Sequence, residues 1–460
     1  MERAFGKRTA TDKQDDHALF LRTDAMRPEN TEAISTRSPS PAPSQSWLRK
    51  LGPGLITGAA DDDPSGIATY SQAGAQFGLN LLWTMFFTWP LMVGIQIVSA
   101  RIGRVTGKGL AGNIREHFAR WMLYLIVALL LVANTINIAA DVSAMGDALA
   151  LLVGGPGHVY AAGFGLLSLL LQVLIPYSRY VRILKWLTLA LLAYVGVVFA
   201  VQIPWQKVAV SLVAPDLHWN AAVITTIVAV FGTTISPYLF FWQAAQEVEE
   251  MEADPAIRPL KHAPEQARAS FTRIKIDTVF GMGFSNLVAF FIILTTAVTL
   301  HVHGVTDIQT SAQAANALRP IAGEFAFLLF AAGIVGTGLL AVPVLAGSAA
   351  YAMADAFQWS YGLEKTLHVA KRFYGIIGIS TLAGVLLGFT PIDPIKALFW
   401  SAVINGVISV PIMAVMMIMA TKASVMGRFT ISPRLRWLGW LATLVMAAAV
   451  VAMFATLGDA

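Results

Sequence analysis

The chain has 460 residues, 56% of them hydrophobic and only 13% charged, with a formal net charge of +5. That balance excludes a large soluble domain and reads as an integral membrane protein. There is no cysteine, which excludes disulfides, thiolate metal sites and thiol redox chemistry and leaves oxygen, imidazole or thioether for any metal. The basic excess does not point to nucleic acid, because Lys and Arg sit in short loops between apolar runs, where membrane orientation explains them.

Residues 1–46 hold seven Lys/Arg, seven Asp/Glu, no long apolar segment and a Ser/Pro-rich end from Ser38 to Ser46. This predicts a disordered cytoplasmic tail with no signal-peptide core, ahead of a single transmembrane transport domain over 47–460. Spanning-length apolar runs follow at roughly 51–78, 81–103, 121–153, 158–177, 181–203, 221–246, 277–300, 325–357, 373–391, 395–421 and 435–457. The expected fold is an all-α integral membrane protein of eleven helices. With a cytoplasmic N-terminus, the basic loops Arg101 to Arg120, Arg179 to Lys185, Arg258 to Lys275, Lys365 to Arg372 and Lys422 to Arg436 fall inside. The outer loops keep chiefly Lys207, Arg319 and Lys396, so the alternation follows the positive-inside rule and puts the C-terminus outside a multi-pass cell-membrane protein.

The first run carries Asp61, Asp62 and Asp63, followed by Pro64, Ser65 and Gly66. Asp63 lies about twelve residues from Leu51, or ~18 Å at the helical rise, near the middle of a ~30 Å hydrocarbon core. Each Asp there costs ~2.5–3.5 kcal/mol unless protein, water or a cation neutralises it. Pro64 and Gly66 break the helix at that depth. A second break is expected in the sixth run, at Gly232-Thr233-Thr234-Ile235-Ser236-Pro237-Tyr238. The two broken helices stand five helices apart and therefore enter from opposite sides. Repeat one over about 51–203, repeat two over about 221–421 and an extra helix over about 435–457 give the inverted-repeat pattern of secondary transporters that bind substrate at the midplane.

Unwinding leaves carbonyls at the ends of the N-terminal half-helices. Ala60 and Thr233 are placed to offer them, and with the Asp63 carboxylate and the Ser236 hydroxyl they make an all-oxygen cage suited to Mg²⁺ or Mn²⁺ with retained water.

The stretch Gly52 to Gly78 resembles the first helix of Nramp-type divalent metal transporters, whose pattern is GP, then DPGN, then AT and GGAxFG. The resemblance continues through Thr106 to Phe118, Ile138 to Leu151 and Gly232 to Gln243. It implies a LeuT-like fold of two inverted five-helix repeats plus an eleventh helix, and divalent-metal uptake by alternating access. The departures matter as much as the matches. Family DPGN becomes Asp63-Pro64-Ser65-Gly66, keeping the aspartate ligand and replacing the asparagine ligand by Gly66. The family methionine before the helix-six proline becomes Ser236, removing the soft sulfur that penalises hard ions. The family histidine after that proline becomes Tyr238, and its helix-three glutamate becomes Ala144 beside a retained Asp141. Those positions are associated in the family with proton coupling. The sequence therefore resembles the Nramp-related magnesium transporter branch, which implies Mg²⁺ and Mn²⁺ as transported substrates, no cofactor and no proton coupling.

The metal site is thus expected at Asp63, Ser236, Ala60, Thr233 and Gly66. Asp61, Asp62, Tyr238, Asp141, Asn405 and Gln243 are assigned to the vestibule or path. Asn134, Asn137 and Asp141 form one stripe on the third helix, read either as interhelical hydrogen bonding or as part of the path. Asn405 and Ser409, one turn apart on the tenth, are read as packing residues or as holders of metal-bound water. Glu247, Glu249, Glu250, Glu252 and Asp254 read as a salt-bridged loop end, and His301, His303 and Asp307 as a loop rather than a metal site. Competing functions are a proton-coupled manganese or transition-metal carrier, a Na⁺-coupled organic solute carrier of the same fold, and a channel or membrane metal sensor. No nucleophile with a base partner supports an enzyme. A divalent ion and the bilayer are the expected partners, with a monomeric state and no nucleic acid.

Overall fold

The computed structural model describes residues 58, 60–175, 179, 187–363, 365–390 and 393–458, all within one compact unit, Trp47–Ala460. The tail read at 1–46, the opening of the first apolar run and the basic residues Arg182 and Lys185 lie outside them. Every regular element among the described residues is helical. The main ones are α1 (Pro64–Phe77), α2 (Trp83–Thr106), α3 (Leu110–His117), α4 (Arg120–Val153), α5 (Gly157–Leu174), α6 (Leu192–Ala200) and α7 (Trp205–Val213). They continue as α8 (Ala221–Thr234), α9 (Pro237–Ala253), α10 (Ala267–Thr299), α11 (Ala326–Phe357), α12 (Lys371–Leu387), α13 (Pro394–Thr421) and α14 (Pro433–Gly458).

Among the described residues, eight segments are long and apolar enough to cross a membrane, or nine if the bent pair Leu189–Ala200 and Trp205–Val213 is one span. Three of the eleven predicted runs are therefore not among the eight. The first is divided at the aspartates and starts outside the described residues. The fifth also starts outside them, and the chain turns by 117° into α7. The ninth is α12, with 17 residues.

Both breaks have a local cause. At the first, Asp63 takes an extended conformation with φ −69° and ψ 170°, Pro64 opens α1, and the Asp63 side chain accepts from the Gly66 amide. Asp as N-cap and Pro at the first helical position restart a helix, satisfying one orphan amide and removing another. At the second, α8 ends at Thr234, Ser236 is extended at φ −79° and ψ 134°, and Pro237 opens α9. Both breaks set an extended polar residue before a helix-opening proline, but only Asp63 caps the following helix with its side chain.

Small residues bring the backbones together around the breaks, as in membrane helix packing generally. A Cβ on Gly232 would strike the Ala402 carbonyl and come within 2.5 Å of the Gly406 amide nitrogen, which presses α8 onto α13. A Cβ on Gly74 would collide with the Thr296 hydroxyl and the Ile293 carbonyl of α10. Of the most apolar stretch of Ala221–Ala253, 94% is buried, against 22% for Gly157–Leu174. The broken helix is core and α5 is rim.

Gly232→Ala is expected to destabilise the protein by about 1–3 kcal/mol, because the atoms in the way are backbone. Gly375→Ala, where a Cβ meets nothing within 4 Å, is expected to be neutral or slightly stabilising. Thermal melting of the two purified variants, followed by size-exclusion recovery, checks the difference.

Candidate metal site at the two helix breaks

Asp61, Asp62 and Asp63 are 0%, 3% and 1% exposed, so the site is closed to bulk solvent in this structure. Asp63 uses its two oxygens differently. Oδ1 accepts from Ser65 Oγ at 2.6 Å and from the Gly66 amide at 2.8 Å. Oδ2 faces the other break, where the Tyr238 hydroxyl stands 3.3 Å away and also 3.2 Å from the Ala60 carbonyl oxygen. One phenolic hydrogen serves both, so Oδ2 and the Ala60 oxygen keep lone pairs free for a cation. Across the same gap Ser65 Oγ lies 3.4 Å from Thr233 Oγ1, and the Tyr70 hydroxyl lies 3.0 Å from Thr234 Oγ1. The two breaks therefore meet, as their separation by five helices predicts.

Ser236 serves its break in the opposite way to Asp63. Asp63 caps the half-helix that follows it, whereas Ser236 Oγ donates back to the Gly232 and Thr233 carbonyls, at 2.9 and 2.7 Å. Ser409 Oγ on α13 lies 2.8 Å from the exposed end carbonyl of Ile235 and 2.8 Å from that of Asn405. Ser409 thus braces the second break. Gly66 contributes an amide to Asp63 and, having no side chain, room: a Cβ there would lie 3.3 Å from both Thr233 Oγ1 and the Tyr70 ring.

Asp61 and Asp62 turn elsewhere. Ser285 Oγ of α10 stands 2.6 Å from Asp61 Oδ2 and 3.0 Å from Asp62 Oδ1. Asp141 on α4 is fully buried, within electrostatic reach of Asp63, and neither of its oxygens has a partner. Asn137 and Asn405 are likewise fully buried with both amide atoms unpartnered, while Asn134 donates across to the Leu345 carbonyl and Ser348 Oγ of α11 at 2.8 and 2.7 Å. Gln243 is fully buried on α9. None of the ion pairs among the described residues involves these aspartates. No three acidic or histidine side chains there converge as a closed metal cluster. A cation at the breaks would be held by one carboxylate with carbonyl and hydroxyl oxygens.

The acidic end of α9 is different in kind. Arg273 of α10 contacts Glu247 at 2.6 Å and Glu250 at 2.9 Å, Lys365 pairs with Glu252 at 2.8 Å, and Glu249 accepts from the Tyr351 hydroxyl at 2.6 Å. His301 and His303 contact the Ala75 and Thr299 carbonyls, and Asp307 accepts from Gln309. These groups bind the fold together. Sequence reading missed Ser285, Tyr70 and Arg273. Ser285 and Asn286 interrupt an apolar helix, which was the available signal for the first. For Tyr70 and Arg273 the partner is set only by tertiary packing.

A helical bundle with two interrupted helices meeting over a buried carboxylate has the architecture of the LeuT-like fold. The sequence profile of the Nramp family, natural resistance-associated macrophage protein-like, matches residues 54–456, and the chain belongs to that family. The crystal structure of the Eremococcus coleocola manganese transporter, bound to an aromatic bis-isothiourea compound, is similar at 17% identity and TM-score 0.67. The match covers 90% of this chain and 89% of that one. More distant folds are MhsT in complex with L-phenylalanine, at 14% identity and TM-score 0.56 over 88% of this chain and 98% of the other. The nucleobase-cation-symport-1 transporter Mhp1 matches at 14% and 0.55 over 90% and 93%.

Replacing Arg273 by Met leaves Glu247, which is 0% exposed, as a buried charge without its nearest cation. The expected cost is about 3 kcal/mol, the lower end for a broken buried pair because Arg273 is partly exposed. Glu247→Gln combined with Arg273→Met should recover most of the lost melting temperature, a coupling read directly from a double-mutant cycle.

Proposed function

We propose that this protein is a carrier that admits Mg²⁺ and Mn²⁺ by alternating access about the two broken helices. The ion is held partly hydrated and crosses without an obligatory proton. The observation that carries the reading is the donor set: Asp63 Oδ2, the Ala60 and Thr233 carbonyls and the Ser236 hydroxyl, with serine where the family has a thioether. Hard oxygen donors suit Mg²⁺ and Mn²⁺ alike, and nothing soft rewards a transition metal. Gly66 adds space where a side chain would crowd Thr233, and space favours an ion that keeps its water. Tyr238 and Ala144 at the positions associated with proton coupling supply no group that titrates near neutral pH in its unperturbed state.

Membership of a divalent metal transporter family supports the cargo class. The likeness to the manganese transporter, at its low identity, supports the architecture, and architecture alone does not fix a substrate. The basic loops support a cytoplasmic N-terminus and an outer C-terminus in the cell membrane. We read the carrier as a monomer whose only small partner is its cargo.

One observation favours a second reading. Asp141, buried without a partner near Asp63, is a place where a proton-coupled manganese carrier would keep its proton.

Proteoliposome uptake separates these. The native protein is expected to carry both Mg²⁺ and Mn²⁺ while a lumenal pH dye stays flat. Ser236→Met should lower Mg²⁺ uptake relative to Mn²⁺ by roughly tenfold, equivalent to ~1.4 kcal/mol of discrimination. Equal Mg²⁺ uptake by the methionine variant would overturn the selectivity argument, and lumenal acidification during uptake would establish the second reading.

A further inference from the structure

The three adjacent aspartates do not share one centre. Asp63 faces Tyr238 of α9, whereas Asp61 and Asp62 face Ser285 of α10, at 2.6 and 3.0 Å. A serine hydroxyl has one hydrogen, so it donates fully to only one of two carboxylates. Asp61 Oδ1, on a side chain with no exposed surface, has no partner at all. The position is built rather than incidental. Gly58 precedes Asp62 by one turn, Gly281 precedes Ser285 by one turn, and a Cβ on Gly58 would collide with the Gly281 backbone. That close approach holds the two backbones together next to the aspartates and Ser285.

Charge makes a second demand. A divalent ion at Asp63 supplies two positive charges against four carboxylates, Asp141 included, and no ion pair among the described residues supplies another. Carboxylates sealed at membrane depth require neutralisation.

We propose that Asp61, Asp62 and Ser285 form a second station for a hard divalent cation, next to the one at Asp63. The Asp61 and Asp62 carboxylates, bridged by the Ser285 hydroxyl, offer oxygen only, which suits Mg²⁺ or Mn²⁺ with water completing the shell. The paired negative charge favours a doubly charged ion over a monovalent one. Ions at neighbouring stations repel, so each weakens the other's hold and eases its release. This extends the reading of Asp63 as an ion ligand, and the test keeps the two apart.

The full chain is purified in detergent and titrated with Mn²⁺, counting bound metal by equilibrium dialysis and reading spin coupling by electron paramagnetic resonance. The native protein is expected to bind two Mn²⁺ with a broadened, coupled spectrum. Asp62→Asn combined with Ser285→Ala should bind one, with an isolated Mn²⁺ signal, and Asp63→Ala should also bind one, at the Ser285 station. An unchanged elution profile verifies that each variant is folded. A native chain that binds a single Mn²⁺, lost in Asp63→Ala and kept in the Asp62/Ser285 variant, overturns the second station and leaves Asp63 as the ligand. Na⁺ displacing exactly one of two Mn²⁺ from the native protein without affecting the other overturns its divalent character. Two Mn²⁺ retained in Asp63→Ala would instead overturn the reading of Asp63.

Discussion

Four carboxylates, those of Asp61, Asp62, Asp63 and Asp141, are sealed in the middle of a membrane-spanning bundle with no basic side chain paired to them among the described residues. Everything around the two helix breaks answers to that constraint. At ~2.5–3.5 kcal/mol for each charge at this depth, the closed state is tolerable only with a cation present or with the carboxylates otherwise neutralised. The same chain pairs its acids where pairing serves structure: Glu247, equally buried, is clasped by Arg273. The absence of any such clasp at the breaks is therefore a property of that place and not of the fold.

The breaks are built economically from the same residues that would hold the ion. Asp63 caps α1 with one oxygen and presents the other to the gap, so the restart of the helix fixes the direction of the candidate ligand. Ser236 braces the carbonyls of α8 instead of capping α9, and Ser409 reaches across from α13 to the Ile235 carbonyl. The Ala60, Gly232, Thr233 and Ile235 carbonyls each stand within hydrogen-bond reach of a protein hydroxyl. Irregular backbone in a membrane survives when it is buried in protein or faces a polar cavity, and glycine contacts at Gly232 and Gly74 supply the burial.

Much of this was legible in the sequence because breaks and charges in apolar runs violate hydropathy, and violations are visible. Asp63-Pro64 and Ser236-Pro237 could be placed at matching depths by counting residues. What counting could not give was direction. Asp61 and Asp62 were assigned to the vestibule or path, and in this structure they are buried against Ser285, a partner on a helix more than two hundred residues away in the chain. The stripe Asn134, Asn137, Asp141 was legible as a face, but only packing separates Asn134, bonded to α11, from Asn137 and Asp141, which bond to nothing. At α6 the predicted run ends at residue 203, close to the observed helix end at Ala200, but hydropathy carries no information about the 117° turn into α7 that follows.

The central claim is that Asp63, held by its own capping interactions, is the group on which a divalent cation depends. Uptake of Mn²⁺ and Mg²⁺ into proteoliposomes by Asp63→Asn tests it most directly, since the amide keeps the size of the side chain and an oxygen for the cap while removing the charge. The account predicts that flux of both ions falls to the level of empty liposomes in a variant that elutes as the native protein does. Uptake at native rates by that variant would contradict it.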